Sequence, residues 1–182
     1  MSIEIPQPWN SFLRDIDQLL ATPTEFHCIG GFVVTTFYGF ERETADLDVL
    51  EIRPSGGTEI VLAQAQRGSE LHKKHRVYLD RVTVIQAYPE NYETRLTEMY
   101  VGAFSQLRLF AVEAHDLALM KLERNIERDR VDVKYLAEAG RITAEELELR
   151  YQTEMRPYIA IPQQRADLTV KLWVEMIREL QQ

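Results

Sequence analysis

A glycine pair followed by two alternating aspartates is the feature that most constrains the fold of this chain. Gly30-Gly31 follows the apolar run Phe26 to Ile29, and Asp46-Leu47-Asp48 comes after residues with helical spacing. This order predicts a strand, a tight glycine turn, a helix and a second strand between residues 25 and 53. Since side chains alternate along a strand, the two carboxylates point the same way.

The carboxylates of Asp46 and Asp48 require an explanation, because like charges side by side repel each other unless a cation neutralises them. Hard oxygen ligands suit Mg²⁺. Backbone N–H groups at Gly30 and Gly31 can approach phosphate oxygens, since no side chain blocks them. The residues alone therefore favour a Mg²⁺-phosphate site. The structural alternatives are a simple turn and two solvent-facing strand residues.

Length and charge limit the architecture and the kinds of partner. The 182 residues suit one domain, or one domain with a small helical appendage, and we expect an α/β core over residues 1–112 and a helical portion over 113–182. The net charge of −8 disfavours a protein that coats nucleic acid, although a local basic patch can still bind RNA.

The apolar pattern predicts a cytoplasmic protein without a membrane segment. No apolar run is long enough to span a bilayer, and residues 1–6 lack the basic start and apolar middle of a secretory signal. The single cysteine, Cys28, cannot form an internal disulfide and is expected to be a buried thiol.

The remaining pattern completes a small mixed sheet with helices packed on it, an α+β fold. Residues 77–85 are rich in β-branched residues and predict a strand, and residues 107–112 predict an edge-like strand. Residues 115–139 predict two helices that break near Asn125, and a last amphipathic helix follows Pro162.

Two motifs in this order resemble those of known enzymes. The first resembles the head motif of the nucleotidyltransferase superfamily, and its residues are Gly30, Gly31, Gly39, Arg42, Thr44, Asp46 and Asp48. The second, in residues 116–124 and 128–132, resembles the lysine and Arg-Asp-x-x-Asp motifs of the AbiEii-type toxin branch. Together they cover residues 25 to 140. The resemblance implies a nucleotidyltransferase-like mixed sheet with flanking helices and a helical C-terminal portion.

Nucleotidyl transfer gives the three acidic residues distinct roles. An acceptor hydroxyl attacks the α-phosphate of a nucleoside triphosphate and pyrophosphate leaves, so two Mg²⁺ ions can stabilise the attacking and leaving oxygens. Asp46 and Asp48 would bind the metals. Asp80, on the neighbouring predicted strand, is the candidate third carboxylate, which completes a metal site and helps to deprotonate the acceptor. A structural ion pair with Arg81 or with the nearby basic segment is the alternative for Asp80.

Basic residues are the candidates for holding the triphosphate. Arg42 lies near the aspartates in sequence, and Lys121 and Arg128 are seven residues apart, which on an unbroken helix places them on one face. Both could then reach the β- and γ-phosphates. Alternatively, Asp129 and Asp132 orient these side chains through charge-assisted hydrogen bonds.

One position departs from the superfamily pattern. Many members have serine or threonine directly after the first glycine, and this chain has Gly31 followed by Phe32. The glycine pair also occurs in the AbiEii-like branch.

The resemblance implies transfer of a nucleoside monophosphate to RNA, above all tRNA, or to a protein hydroxyl, within a toxin–antitoxin or phage-defence system. A cognate antitoxin or toxin would then be a partner. The alternatives are a catalytically silent nucleotide- or partner-binding protein of the same fold, serving as antitoxin or regulatory subunit, and a purely structural module. The basic residues 72–76 are either an RNA contact or a solvated loop end, and Trp173 marks a candidate homodimer surface.

Overall fold

The computed structural model describes residues 4–56, 58–82 and 87–182, and it confirms the α+β class with a mixed sheet and flanking helices. The chain divides into two compact units. The first comprises Met1–Thr83 and Leu96–Ala111, and the second comprises Val84–Arg95 and Val112–Gln182. The expected domain division at residues 112 and 113 stays a prediction.

The first unit contains a five-stranded sheet in the order β3-β2-β1-β5-β4. Its strands are β1 (Thr24–Ile29), β2 (Asp46–Arg53), β3 (Tyr78–Arg81), β4 (Thr97–Met99) and β5 (Leu107–Ala111). Its helices are α1 (Trp9–Leu19), α2 (Gly30–Thr36), α3 (Glu59–Ala65) and α4 (Glu70–His75). The central strand β1 runs antiparallel to β2 and parallel to β5. β3 joins β2 in parallel, and β4 joins β5 antiparallel.

The edge of the sheet differs from the sequence prediction in one respect. β5 was expected at an edge, but it lies between β1 and β4. This expectation was wrong because β4 has three residues, too few for an alternating pattern to be recognised. The predicted strand over residues 77–85 is observed from Tyr78 to Arg81, and its positions 83–85 lie outside the described residues.

Alternation along β2 and β3 separates an apolar face from a polar one. Leu47 and Val49 in β2 are fully buried, and Leu79 in β3 is 1% exposed. Asp46 and Asp48 alternate with Leu47 and Val49 along β2 and are only half-buried. The hydrophobic effect thus fixes which face of the strands the acidic side chains occupy, because the apolar residues must face the core.

The helix α1 is anchored to the segment that leads into β5. Its apolar stripe buries Phe12, Leu13 and Ile16 completely. Asp17 accepts hydrogen bonds from the backbone N–H groups of Ser105, Gln106 and Leu107, at 3.0, 2.7 and 2.8 Å. Burial by itself would raise the pKa of Asp17, but these three donors outweigh burial and hold its pKa below the usual value.

The second unit is helical. Its helices are α5 (Ala114–Leu119), α6 (Glu127–Glu138), α7 (Ala144–Arg150) and α8 (Gln163–Leu180), with short helical turns at Tyr92–Arg95, Tyr151–Met155 and Arg156–Tyr158. The predicted break near Asn125 is confirmed, since this residue has a φ of 45° between α5 and α6. Trp173 is 4% exposed. It is therefore part of the core of this unit and does not mark an exposed dimer surface.

No helix within residues 4–56, 58–82 and 87–182 has both the length and the apolar character needed to cross a membrane.

The anchoring role of Asp17 predicts a specific loss of stability. In Asp17→Ala, three backbone N–H groups lose a charged acceptor, so the free energy of unfolding in urea at pH 7 should fall by about 1–3 kcal/mol. The folded-state pKa is below 3.8, so the contribution of Asp17 is present above that pH and disappears as the pH falls through the folded-state value. The difference between wild type and variant should shrink accordingly. Gln18→Ala, at an exposed position of the same helix, should change stability by less than about 0.5 kcal/mol.

Candidate functional site

The carboxylate of Asp48 packs directly against Gly30. β1 ends at Ile29, which is paired with Asp48 across the sheet, and α2 begins at Gly30 with a φ of +69°. A Cβ atom on Gly30 would lie 1.9 Å from Oδ2 of Asp48. A side chain here would force the Asp48 carboxylate to move, and the positive φ independently favours glycine at this position.

The second glycine makes room for a cation and a hydroxyl. A Cβ atom on Gly31 would lie 2.8 Å from Nη2 of Arg42 and 2.9 Å from Oγ1 of Thr44. The Thr44 hydroxyl donates a hydrogen bond of 2.8 Å to Oδ1 of Asp46. Most of the first predicted motif is therefore a spatial cluster as well as a sequence pattern, since Gly30, Gly31, Arg42, Thr44 and both aspartates lie around one bend of the chain.

The register of β2 and β3 adds Asp80 to this cluster. Asp48 pairs with Asp80, and Asp46 pairs with Tyr78, along the parallel strands. Residues opposite each other in register project from the same face of a sheet. The three predicted carboxylates thus occupy one face of two neighbouring strands.

The Tyr78 hydroxyl lies in an environment that the neighbouring carboxylates make more negative. Burial raises the pKa of Tyr78, and the negative charges of Asp46, Asp80 and Asp48 raise it further, whereas the Arg67 guanidinium lowers it. All three carboxylates are therefore close enough to influence one phenol. Sequence analysis did not assign Tyr78 to the site, although its position two residues before Asp80 was the available signal.

The donor set fits a magnesium ion that shares its coordination with a substrate. Among the side chains that the structure describes, no group of three or more histidine, cysteine or acidic residues is arranged to hold a metal unaided. Magnesium is commonly bound by one or two carboxylates together with substrate phosphates and water. Asp46 and Asp48 meet that requirement, because their alternate positions in β2 place two carboxylates on one face beside the glycine bend.

Lys121 is enclosed by acidic side chains of the second unit. It is 5% exposed, and its Nζ lies 2.9 Å from Oδ2 of Asp132 and 3.6 Å from Oδ1 of Asp129. Arg124 also donates two hydrogen bonds to Asp129. These contacts are those of the alternative in which Asp132 and Asp129 orient the lysine. The triphosphate contact of Lys121 stays a prediction from sequence.

Lys121 and Arg128 do not share a helix. Lys121 follows α5, and Arg128 is an exposed residue in the first turn of α6. The interval between the two helices contains Asn125 with its positive φ. The seven-residue spacing therefore does not place these side chains on one helical face, because that inference requires an unbroken helix.

Comparison with known proteins assigns a family. Residues 11–181 match the model of a family described as "Nucleotidyltransferase of unknown function (DUF6036)". The match spans almost the whole chain, so the chain belongs to this nucleotidyltransferase family, in agreement with the superfamily predicted from the first motif. No curated protein and no solved structure matches significantly.

The contact between Gly30 and Asp48 predicts an unusually damaging alanine substitution. A left-handed backbone conformation costs a residue with a Cβ atom roughly 1–2 kcal/mol. Gly30→Ala should lower the free energy of unfolding by more than this, because the new methyl group must also displace the Asp48 carboxylate. Gly102→Ala is the matched control, since Gly102 has a φ of +75° with no atom within 4 Å of its Cβ position. Equal losses in urea unfolding would contradict the packing described for Asp48.

The contacts of Lys121 predict a structural defect when its charge is removed. Lys121→Met leaves Asp129 and Asp132 buried without their shared cation, and the free energy of unfolding should fall by about 3–5 kcal/mol. Lys134→Met is the control, since it removes the same charge from an exposed lysine of α6 and should have little effect. If Lys121→Met has wild-type stability, the structural role is contradicted and a functional contact of this lysine is supported.

Proposed function

We propose that this nucleotidyltransferase-family protein is a Mg²⁺-dependent enzyme that moves a nucleoside monophosphate from a nucleoside triphosphate to a hydroxyl of RNA, above all tRNA, or of a protein. The observation that carries the proposal is the position of Asp46, Asp48 and Asp80 on one face beside the glycine bend. Neither Asp46 nor Asp80 has an ion-pair partner among the described residues, and no ion pair joins Asp80 to Arg81 there. Acidic groups without an internal cation favour an external one.

The space around the glycine bend suits a triphosphate. Glycine at positions 30 and 31 allows phosphate oxygens to approach the backbone closely. The Arg42 guanidinium beside Gly31 offers a planar fork of donors that matches phosphate geometry. Thr44 places a hydroxyl 2.9 Å from the position of a Gly31 Cβ, so it can supply the hydroxyl that other superfamily members have directly after the first glycine.

The proposed reaction is a displacement at the α-phosphorus. The acceptor hydroxyl oxygen forms a bond to this phosphorus, the bond from phosphorus to the bridging oxygen of the β-phosphate breaks, and pyrophosphate leaves with that electron pair. Asp80 takes the proton of the hydroxyl as a general base. Thr44 holds the Asp46 carboxylate in place through its hydrogen bond.

Metal binding follows from the same carboxylates. Asp46 and Asp48 would hold two ions, and Asp80 would complete one of the two sites. Magnesium bound there would stabilise the negative charge that develops on the attacking and leaving oxygens.

The biological setting is proposed from the second motif. Residues 116–132 resemble the AbiEii-type toxin branch, which supports a role in a toxin–antitoxin or phage-defence system with a cognate antitoxin or toxin.

The competing proposal is a silent nucleotide- or partner-binding protein of the same fold. Gly31 favours it, because it stands directly after the first glycine, where many superfamily members have the hydroxyl of a serine or threonine.

The two proposals differ in what happens when the acidic pair is neutralised. Asp46→Asn and Asp48→Asn should each lower nucleotide transfer by at least about a hundredfold, because charge stabilisation by the metal is worth several kcal/mol. The assay combines each of the four α-labelled nucleotides with Mg²⁺ and total cell RNA or protein. Glu51→Gln, which removes a carboxylate from the same strand, is the control that should retain activity.

Transfer by the doubly substituted Asp46→Asn, Asp48→Asn protein at the wild-type rate would refute the catalytic proposal. Calorimetric binding of Mg²⁺-nucleotide by a wild-type protein that transfers nothing would instead favour the silent binding protein.

A further inference from the structure

A cavity of about 420 Å³ lies in the first unit, lined in part by Arg67, Tyr78, Asp80 and Arg81. Its volume is within the roughly 300–1,000 Å³ of small-molecule sites. Asp80 is the residue that pairs with Asp48 in the register of β3 and β2. The cavity therefore adjoins the group that we assign as the general base.

Two arginine residues that line this cavity have no carboxylate partner among the described residues. In the described part of the chain, neither Arg67 nor Arg81 forms an ion pair, and both residues are exposed. The guanidinium of Arg67 lies over the ring of Tyr78, 5.8 Å from its centroid. A stacked guanidinium keeps its donors available at the edge of the plane, where bidentate contact with a phosphate is made.

Two lysines of the neighbouring basic segment are paired with carboxylates, whereas Arg76 of that segment forms no ion pair within the described part of the chain. Lys73 is bound to Glu70 at 2.8 Å, and Lys74 is bound to Asp15 at 2.7 Å. Together with the net charge of −8, these pairs limit favourable phosphate contacts to a short region. One phosphate group in the cavity fits this charge distribution better than an extended backbone along α4.

We propose that this cavity receives the acceptor, and that the acceptor is a nucleotide whose phosphate is bound by Arg67 and Arg81 while its hydroxyl faces Asp80. This inference rests on the proposed function and narrows it, because a protein hydroxyl carries no phosphate to contact the two guanidinium groups. The same chemistry is offered by the terminal nucleotide of an RNA and by a free mononucleotide.

Binding can be measured without catalysis. The probe is a hexaribonucleotide with a 5′ fluorescein and a free 3′ hydroxyl, followed by anisotropy at low ionic strength without Mg²⁺ or nucleoside triphosphate. Arg67→Gln and Arg81→Gln should each weaken binding by about tenfold or more, because each removes a charge-assisted hydrogen-bond donor. Arg14→Gln removes the same charge from an exposed position of α1 and should bind within about twofold of wild type.

Competition identifies the source of the phosphate. Displacement of the probe by unlabelled nucleoside 5′-monophosphates would indicate that the acceptor is a free mononucleotide. Displacement by unlabelled oligoribonucleotides alone would indicate that the acceptor is the end of an RNA. Either result supports the cavity as a phosphate site. Competition by unphosphorylated nucleosides as strong as that by mononucleotides would overturn the proposal. So would wild-type affinity in both arginine variants, or no binding of the probe by wild type.

The assay separates this inference from the proposed function. Loss of probe binding in the arginine variants, combined with wild-type transfer by Asp46→Asn and Asp48→Asn, would reject the catalytic proposal and leave a phosphate-binding cavity. Transfer that requires the aspartates but is unaffected by Arg67→Gln and Arg81→Gln would reject only the assignment of the acceptor. Circular dichroism of each variant checks that the fold is intact.

Discussion

The close packing of the Asp48 carboxylate on the bare Cα of Gly30 is the constraint on which the candidate site depends. It joins the end of β1 and the first turn of α2 to the middle of β2, at a distance that no other residue at position 30 permits. The approach is possible because Gly30 has both a positive φ and no side chain. Once β2 is held there, Asp46 lies beside Thr44, and the register of β3 sets the position of Asp80.

Charged residues near β3 and those in the helical unit differ in how fully they are paired. In the second unit, Asp116 is fully buried and receives hydrogen bonds from Arg95 at 2.8 and 3.0 Å and from Arg150 at 2.9 Å. Lys121 is enclosed in the same manner by Asp132. Such closed pairs fix side chains in a core, since separating one partner leaves a buried charge. In the first unit, Asp80, Arg67 and Arg81 are exposed and form no ion pair among the described residues.

Local patterns in the sequence were sufficient for much of the fold and for the first motif. The glycine pair and the alternating aspartates of Asp46-Leu47-Asp48 are short-range sequence features. In the structure, β2 places Asp48 directly against Gly30. The position of β4 and the enclosure of Lys121 were not predictable in the same way, because both depend on residues that meet only after folding. A charge in a helical segment looks the same in sequence whether its partner is a phosphate or a buried carboxylate.

The strand that carries Asp80 has a neighbour on one side only, since β3 stands at the end of the sheet order. Its four residues add one ladder to a sheet whose other four strands are paired without it. A carboxylate at such a margin can be altered during divergence at little cost to folding, whereas Asp48 is tied to the glycine bend. If Asp80 is the general base proposed above, a substitution in this border strand would remove catalysis at little cost to the stability of the fold.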